Sequence, residues 1–440
     1  MTNIVDMKIK LEKLGLNSKT FCFAPYINID LDQTGETYIC CASKQSIGNW
    51  KTQKLSNNYN NEIVKNLRKD LFNGIKNSNC KSCWFVENKN SKSTRLDSFN
   101  DAIEHIDNLE FFVDQIKKDY EFSSIDNVKR IEIRLSSLCN LRCAHCSPKY
   151  STQWVNILTK KDNFDFFSKY DEFEKNLTNK NIKQYYKTSL ISNSKYEFDI
   201  KNTISKIPLI QFAGGEPLLS PEHFSWLEYL VYDAKTSSDQ ILEYNTNLMI
   251  KDIDRFFPLW KKFKNVTLRS SIDTDFDSIE YFRANSNKDL LIENLKKINQ
   301  EFTQNFDNIG SVTFNMLSAL RYKKIMQDWI DNNLNFHCSI VHNHPFSSLE
   351  LPLELNKQVI NEMEWCKLNV QNYTDNKKFI KRFIKYTDYC LNFIKNYEPK
   401  KYFSTSTINY ILFFDRISKK NIVNYFPELE FYIHAKRNRK

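Results

Sequence analysis

Glycine is nearly missing from this chain. There are 7 glycines in 440 residues, where an average soluble protein carries about 7%. Each glycine, and any adjacent pair, therefore marks a place where the backbone needs one. No run of 18 apolar residues occurs, which excludes a membrane-spanning helix. A secretory signal is absent too. The opening "MTNIVDMKIKLEKLGL" has charges inside its apolar pattern and predicts a short amphipathic helix. No internal repeat is visible. The expected location is cytoplasmic, with no membrane association.

What is present is a sizeable apolar fraction, 41% hydrophobic and 14% aromatic, over a length that suits two or three domains. The net charge of +10 permits an acidic partner without requiring one. Most lysines alternate with acids along helical stretches, the pattern of a solvated surface. The basic tail "HAKRNRK" reads as a disordered end rather than a binding arm, and a nucleic-acid partner is not expected.

Cysteine runs the other way, at 11 residues. In a reducing compartment this count points to metal or redox chemistry rather than structural disulfides. Five lie early: Cys22, Cys40, Cys41, Cys80 and Cys83. Three more share the octapeptide "CNLRCAHC", as Cys139, Cys143 and Cys146. Such a spacing arises by chance about 0.007 times in a chain of this composition. Cys338, Cys366 and Cys390 stand alone and are expected in the core, where free cysteine behaves as a small hydrophobe.

The pattern of elements predicts an α/β protein. "INIDLDQTGETYICCA" reads as a hairpin turning at Gly35, and "NNEIVKNLRKDLFNG" as a helix ending near Gly74. Residues 100–120 read as a helical connector. Six short strands separated by helical stretches follow: "VKRIEIRLSS", "IPLIQFAGG", "QILEYNTN", "NVTLRSSID", "GSVTFNM" and "NFHCSIVH". That rhythm argues for parallel βα units and a partial (β/α)6 barrel of the TIM-like kind, with its chemistry at the C-terminal strand ends. The expected organisation is a small cysteine-rich N-terminal α+β module over 18–98, a barrel over 126–350 with an insertion at 160–205, and a helical C-terminal extension over 353–440.

Three thiols on one loop leave a metal site one ligand short. Structural zinc wants four ligands, and a [4Fe–4S] cube ordinarily takes four cysteines. The open position suits a substrate or cofactor. On spacing alone, a zinc site completed by His145 or a distant residue stays open.

The CxxxCxxC loop after the first barrel strand resembles the radical S-adenosylmethionine (radical SAM) superfamily. The resemblance implies a [4Fe–4S] cluster on Cys139, Cys143 and Cys146, with the fourth iron chelated by SAM. One electron then cleaves SAM reductively, and the resulting 5′-deoxyadenosyl radical abstracts hydrogen from substrate. His145 falls at the position that lies near the adenine. "FAGGEPLL" resembles the motif that binds the SAM amino group, giving Gly214, Gly215 and Glu216. The strand ends "YNTN" and "SSID" give Asn245, Thr246, Asn247, Ser271 and Asp273, and "IEYFRANS" gives Arg283 for the SAM carboxylate. Asn315 and His344, with His342 beside it, match the later strand ends.

The early cysteines resemble the SPASM/twitch module, which implies an auxiliary iron–sulfur cluster on Cys22, Cys40, Cys80 and Cys83. Cys41 is expected to be a buried core thiol. Such modules commonly follow the barrel, and this one precedes it. The implied substrate is a peptide, a protein or a small molecule, as in maturases, and the implied partner is a reductant protein of flavodoxin or ferredoxin type. The other readings are a zinc-stabilised binding protein, with nucleic acid as one possible ligand, and a SAM-binding fold without turnover.

Overall fold

The computed structural model describes residues 4–88, 93–168, 196–341 and 344–434. Part of the 160–205 insertion, His342 and most of the basic tail lie outside the described residues. Among those residues the strands are β1 (Asn28–Leu31), β2 (Glu36–Tyr38), β3 (Gly48–Asn49), β4 (Arg130–Arg134), β5 (Arg142–Cys143), β6 (Leu209–Ala213), β7 (Ile241–Thr246), β8 (Asn265–Ser271), β9 (Arg283–Ala284), β10 (Phe306–Phe314) and β11 (Asn335–Ile340). All six strands expected for the barrel region are present, as β4, β6, β7, β8, β10 and β11. The class is mixed α/β with parallel pairing. No helix among the described residues is long and apolar enough to cross a membrane.

The chain divides into two compact units. The first comprises Met1–Ser136, Ser189–Glu243 and Pro258–Val266. In it β4 pairs in parallel with β6 on one side and β1 on the other. The predicted hairpin thus extends the β4 edge: β1 turns into β2, and β2 into β3, both antiparallel. Gly35 makes the first turn at φ +102°, where an added Cβ would lie 2.7 Å from the Asn49 side chain. The turn is closed by Asp32, whose Oδ1 accepts from Thr34 N at 2.6 Å.

Strand β4 alternates as expected of a strand with unlike faces. Ile131 and Ile133 are buried in the core. On the other face Arg134 bonds Asp30 at 2.7 Å and meets Glu132, while Arg130 reaches Gln211 and lies 3.2 Å from Glu243. Burial and the neighbouring Glu132 push the Asp30 carboxyl up, against the pull of Arg134. The helix Glu62–Phe72 starts at Asn61, whose side chain accepts from Val64 N at 3.0 Å. The connector is two helices, Thr94–His105 and Leu109–Lys118.

The second unit comprises Ser137–Thr188, Tyr244–Phe257 and Thr267–Lys440. Here β10 and β11 pair in parallel, and β8 lies beside β10. A short antiparallel pairing sets Arg142 against Ala284 and Cys143 against Arg283, joining β5 to β9. Three long helices follow β11, at Leu353–Asn369, Lys377–Lys395 and Thr405–Ser418. The middle helix packs on β11 and brings the Cys390 Sγ to 3.4 Å from the Cys338 Sγ. Cys338, Cys366 and Cys390 are all buried, as expected.

Candidate cofactor and cluster sites

The loop "CNLRCAHC" belongs to the second unit and is held mainly by its backbone. Cys139 N donates to Thr152 Oγ1 at 3.3 Å, and that hydroxyl donates back to the Cys139 carbonyl at 3.1 Å. Ser151 Oγ donates to the Leu141 carbonyl at 2.6 Å, and Trp154 Nε1 to the Cys143 carbonyl at 3.0 Å. These anchors come from the start of the helix Thr152–Leu158. Cys139 and Cys143 are buried and Cys146 is half-buried. Burial pushes the Cys146 thiol well up, and charges on Cys143 and Cys139 push it further.

Asn247, at the end of β7, ties this loop down. Its Nδ2 donates to Asn140 Oδ1 at 2.9 Å and lies 3.8 Å from the Cys139 sulfur. Asn140 Nδ2 in turn donates to the Met249 carbonyl at 2.6 Å. Thr246 is buried and its hydroxyl accepts from Leu248 N at 3.1 Å, whereas Asn245 is half-buried.

The loop's His145 forms a group of three with Asp273 and Arg283. His145 stacks on Phe282 at 5.0 Å between ring centroids. Its Nε2 is 3.9 Å from Asp273 Oδ2, and the same oxygen is 3.6 Å from Arg283 Nη1. Asp273 is 1% exposed and sits at φ +66°, a left-handed conformation uncommon outside glycine. Its Oδ1 accepts from Thr313 N at 2.7 Å. Among the described residues Asp273 Oδ2, Arg283 Nε and His145 Nδ1 are buried without a hydrogen-bond partner.

Burial lowers the His145 pKa, opposed by Asp273 and assisted by Arg283. Arg283 goes the other way. Burial works to lower it, but Cys143, Asp273, Cys139 and Cys146 outweigh that and hold it charged. Arg283 Nη1 also donates to the Ser271 carbonyl at 2.7 Å. The predicted residues Ser271, Asp273, Arg283 and His145 are thus brought together with the cysteine loop. Phe282 completes the group and carries no signal in the sequence beyond being next to Arg283.

Asn315 has a structural task. It caps the helix Met316–Leu320 reciprocally with Ser318, and its Nδ2 reaches the Asp273 carbonyl at 3.4 Å. His344 is held with Nδ1 accepting from Phe346 N at 3.0 Å. Burial lowers its pKa to about 3, and a positive charge on His145 would lower it further.

Gly214, Gly215 and Glu216 follow β6 in the first unit. Gly214 lies at φ +112°, and an added Cβ would be 3.1 Å from the Ser136 carbonyl oxygen. Gly215 N donates to that same oxygen at 3.0 Å. The glycine pair thus lets the β6 turn close on the end of β4. Glu216 is buried, and its carboxylate accepts from Leu218 N at 3.1 Å at the turn Pro217–Leu219.

Also in the first unit, Cys22, Cys40, Cys80 and Cys83 line a single cavity together with Arg95. Burial raises the Cys22 thiol to about 11, with Cys83 adding to the rise. Cys40 is pushed well up by burial, then by Cys41, Cys22 and Cys83. Ser98 Oγ lies 3.6 Å from Cys22 Sγ, and Arg95 is locked by an ion pair to Glu87 at 2.6 Å. Neither Ser98 nor Arg95 was expected from the sequence. The expectation for Cys41 is corrected: it is exposed and does not line this cavity. The two thiols lie past the end of β2, in a turn closed by Ser43 N donating to the Cys40 carbonyl at 3.0 Å, and this turn puts Cys40 in the cavity and leaves Cys41 exposed.

Among the described residues no three His, Cys, Asp or Glu side chains are gathered closely enough to hold a single metal ion. Both donor sets are purely thiol, which suits thiophilic metals and iron–sulfur clusters.

Searches find no family model and no curated protein that matches the sequence. Solved structures are similar at a low level. One is anSMEcpe with bound AdoMet, 14% identical over 55% of this chain and 61% of that one, with a TM-score of 0.38. Another is SuiB of Streptococcus suis, 14% identical over 71% of this chain and 60% of that one, at 0.35. The same SuiB bound to its precursor peptide SuiA gives 13% identity, 74% and 63% coverage, and 0.32. This chain thus spans about three-fifths of the length of those proteins, and likeness at this level speaks to neither activity nor substrate.

Proposed function

We propose that this protein is a radical SAM enzyme. The observation that carries the reading is the group formed by Cys139, Cys143 and Cys146 with His145, Asp273 and Arg283. The loop offers three thiols where a closed metal site needs four. Beside it stand a buried donor, Arg283 Nε, and a buried acceptor, Asp273 Oδ2, neither with a hydrogen-bond partner among the described residues. Buried polar atoms without partners are rare in a folded chain, and a polar ligand would satisfy them.

In this reading Cys139, Cys143 and Cys146 hold a [4Fe–4S] cluster. Together with bound SAM, that cofactor supplies reductive cleavage of SAM and abstraction of hydrogen from substrate. The chain's own part is positioning. Arg283, kept charged, would receive the SAM carboxylate. His145, kept neutral and backed by Phe282, offers a flat face to the adenine. Asn247 steadies Cys139, and Asn245, Thr246, Ser271 and Asp273 form the surrounding polar wall. Gly214, Gly215 and Glu216 are assigned to the amino group. The six strands are read as a partial (β/α)6 barrel over 126–350, with the extension at 353–440.

The four-cysteine cavity is read as an auxiliary iron–sulfur site in a module over 18–98. The substrate class assigned with it is a peptide or protein, and the electron donor a flavodoxin- or ferredoxin-type protein. Anaerobically reconstituted protein should bind about eight irons per chain if both sites hold cubes. With SAM and dithionite it should release 5′-deoxyadenosine. Stoichiometric zinc without iron would sink the reading. Iron and bound SAM with no deoxyadenosine would leave a binding fold without turnover.

A further inference from the structure

The helix Thr405–Ser418, far from the cysteines in sequence, is bonded directly to their loop. Tyr410 is 1% exposed, and its hydroxyl donates to the Ala144 carbonyl at 2.9 Å. Ala144 sits between Cys143 and Cys146. Its amide is taken by the Phe282 carbonyl at 2.8 Å, so both backbone groups of this residue are fixed. A second bond runs the other way. Arg142, buried beside Cys143, donates through Nη2 to the Ile417 carbonyl at 2.8 Å. Ile417 is in the last turn of the helix, where carbonyls lack intrahelical partners and the dipole is negative. A guanidinium suits that end on both counts.

The contact is also packed. Phe414 lies 6.3 Å from Trp154 and 6.2 Å from Phe346, and Tyr410 lies 5.6 Å from Phe346. Trp154 is the side chain that donates to the Cys143 carbonyl. The helix end is pinned in turn: Asp415 accepts from Tyr281 at 2.8 Å and from Ile422 N at 3.1 Å. The carbonyls of Cys143 and Ala144 are therefore held from two helices, one just after the loop and one near the chain's C-terminal end.

We infer that the helix Thr405–Ser418 is part of the cofactor site, and that Tyr410 and Arg142 are positioning residues that keep the loop's cysteines presented to one cluster. The inference rests on the reading that this loop binds iron. It is tested on the full chain, reconstituted anaerobically, by following iron extraction with a strong chelator. A Cys139→Ala variant identifies the share of iron that belongs to the loop. Tyr410→Phe removes one hydroxyl and keeps the ring. It should release loop iron about five-fold faster, the factor matching one net hydrogen bond of ~1 kcal/mol, while the remaining iron leaves at the wild-type rate. Arg142→Ala should act the same way, with Arg142→Lys recovering part of the loss. The reduced-cluster paramagnetic spectrum of Tyr410→Phe should also change its response to SAM. Unchanged loop-iron release in both Tyr410→Phe and Arg142→Ala overturns the inference, as does equal acceleration from both sites. If Cys139→Ala loses no iron, the reading itself fails and takes the inference with it.

Discussion

Asp273 Oδ2 lies 3.9 Å from His145 Nε2, on a residue held in the left-handed conformation at φ +66°. A buried carboxylate on a strained backbone faces both a neutral imidazole and a buried guanidinium. Such strain persists where the surroundings over-determine it, and here Thr313 N and Asn315 Nδ2 do so.

The strain is measurable. Asp273→Asn keeps an acceptor for Thr313 N and a residue type that tolerates this conformation. Asp273→Ala keeps neither, and should lose about 1–2 kcal/mol for the backbone and about 1 more for the bond. Urea unfolding should rank wild type and Asn above Ala. Equal midpoints for the two variants would remove the argument.

The folded state should resist protonation at His344. Its pKa is lowered to about 3, whereas an unfolded histidine titrates near about 6.5. Between these values the unfolded chain binds one more proton. This contribution to stability is full above about pH 6.5 and is lost as pH falls, by up to about 1.4 kcal/mol per pH unit. His344→Gln should be less pH-sensitive than wild type between about pH 6 and pH 4. Parallel stability profiles of the two proteins would contradict this.

Gly214→Ala combines a positive φ with a Cβ 3.1 Å from a backbone oxygen that cannot swing away. A cost of about 1–3 kcal/mol is expected. Thermal melting checks it, and a shift of under about 1 °C would show that the turn relaxes freely.

The two cysteine groups should lose iron independently. Cys143→Ala should abolish deoxyadenosine formation and leave the iron of the four-cysteine cavity in place. Cys80→Ala should deplete that cavity's iron and spare the loop. Cys41→Ser, altering an exposed thiol outside the cavity, should change neither count. Iron analysis of the reconstituted variants decides, and a loss of iron in Cys41→Ser would make that thiol a ligand.

Much of this molecule could be read directly. The six core strands announce themselves because buried parallel strands are short apolar runs between helical stretches. The hairpin at Gly35 and the helix ending before Gly74 follow from turn and cap chemistry over a few residues. The three-cysteine loop is legible because its ligands are near neighbours in the chain.

Other features had no local signal. The ion-paired face of β4 joins Arg134 to Asp30, 104 residues away. The outward turn of Cys41 depends on which of two adjacent thiols the fold turns into the cavity. Arg95 and Ser98 reach the cysteine cavity only because the helix Thr94–His105 packs over Cys22. Tyr410 reads as one aromatic among many in an aromatic-rich tail, yet its hydroxyl ends at the Ala144 carbonyl, 266 residues away. Sequence by itself determined residue types, short-range spacing and the period of the elements, because those depend on the backbone alone. Only the tertiary structure decided which distant side chains meet the cysteine loop, because those contacts come from packing whole helices and strands together.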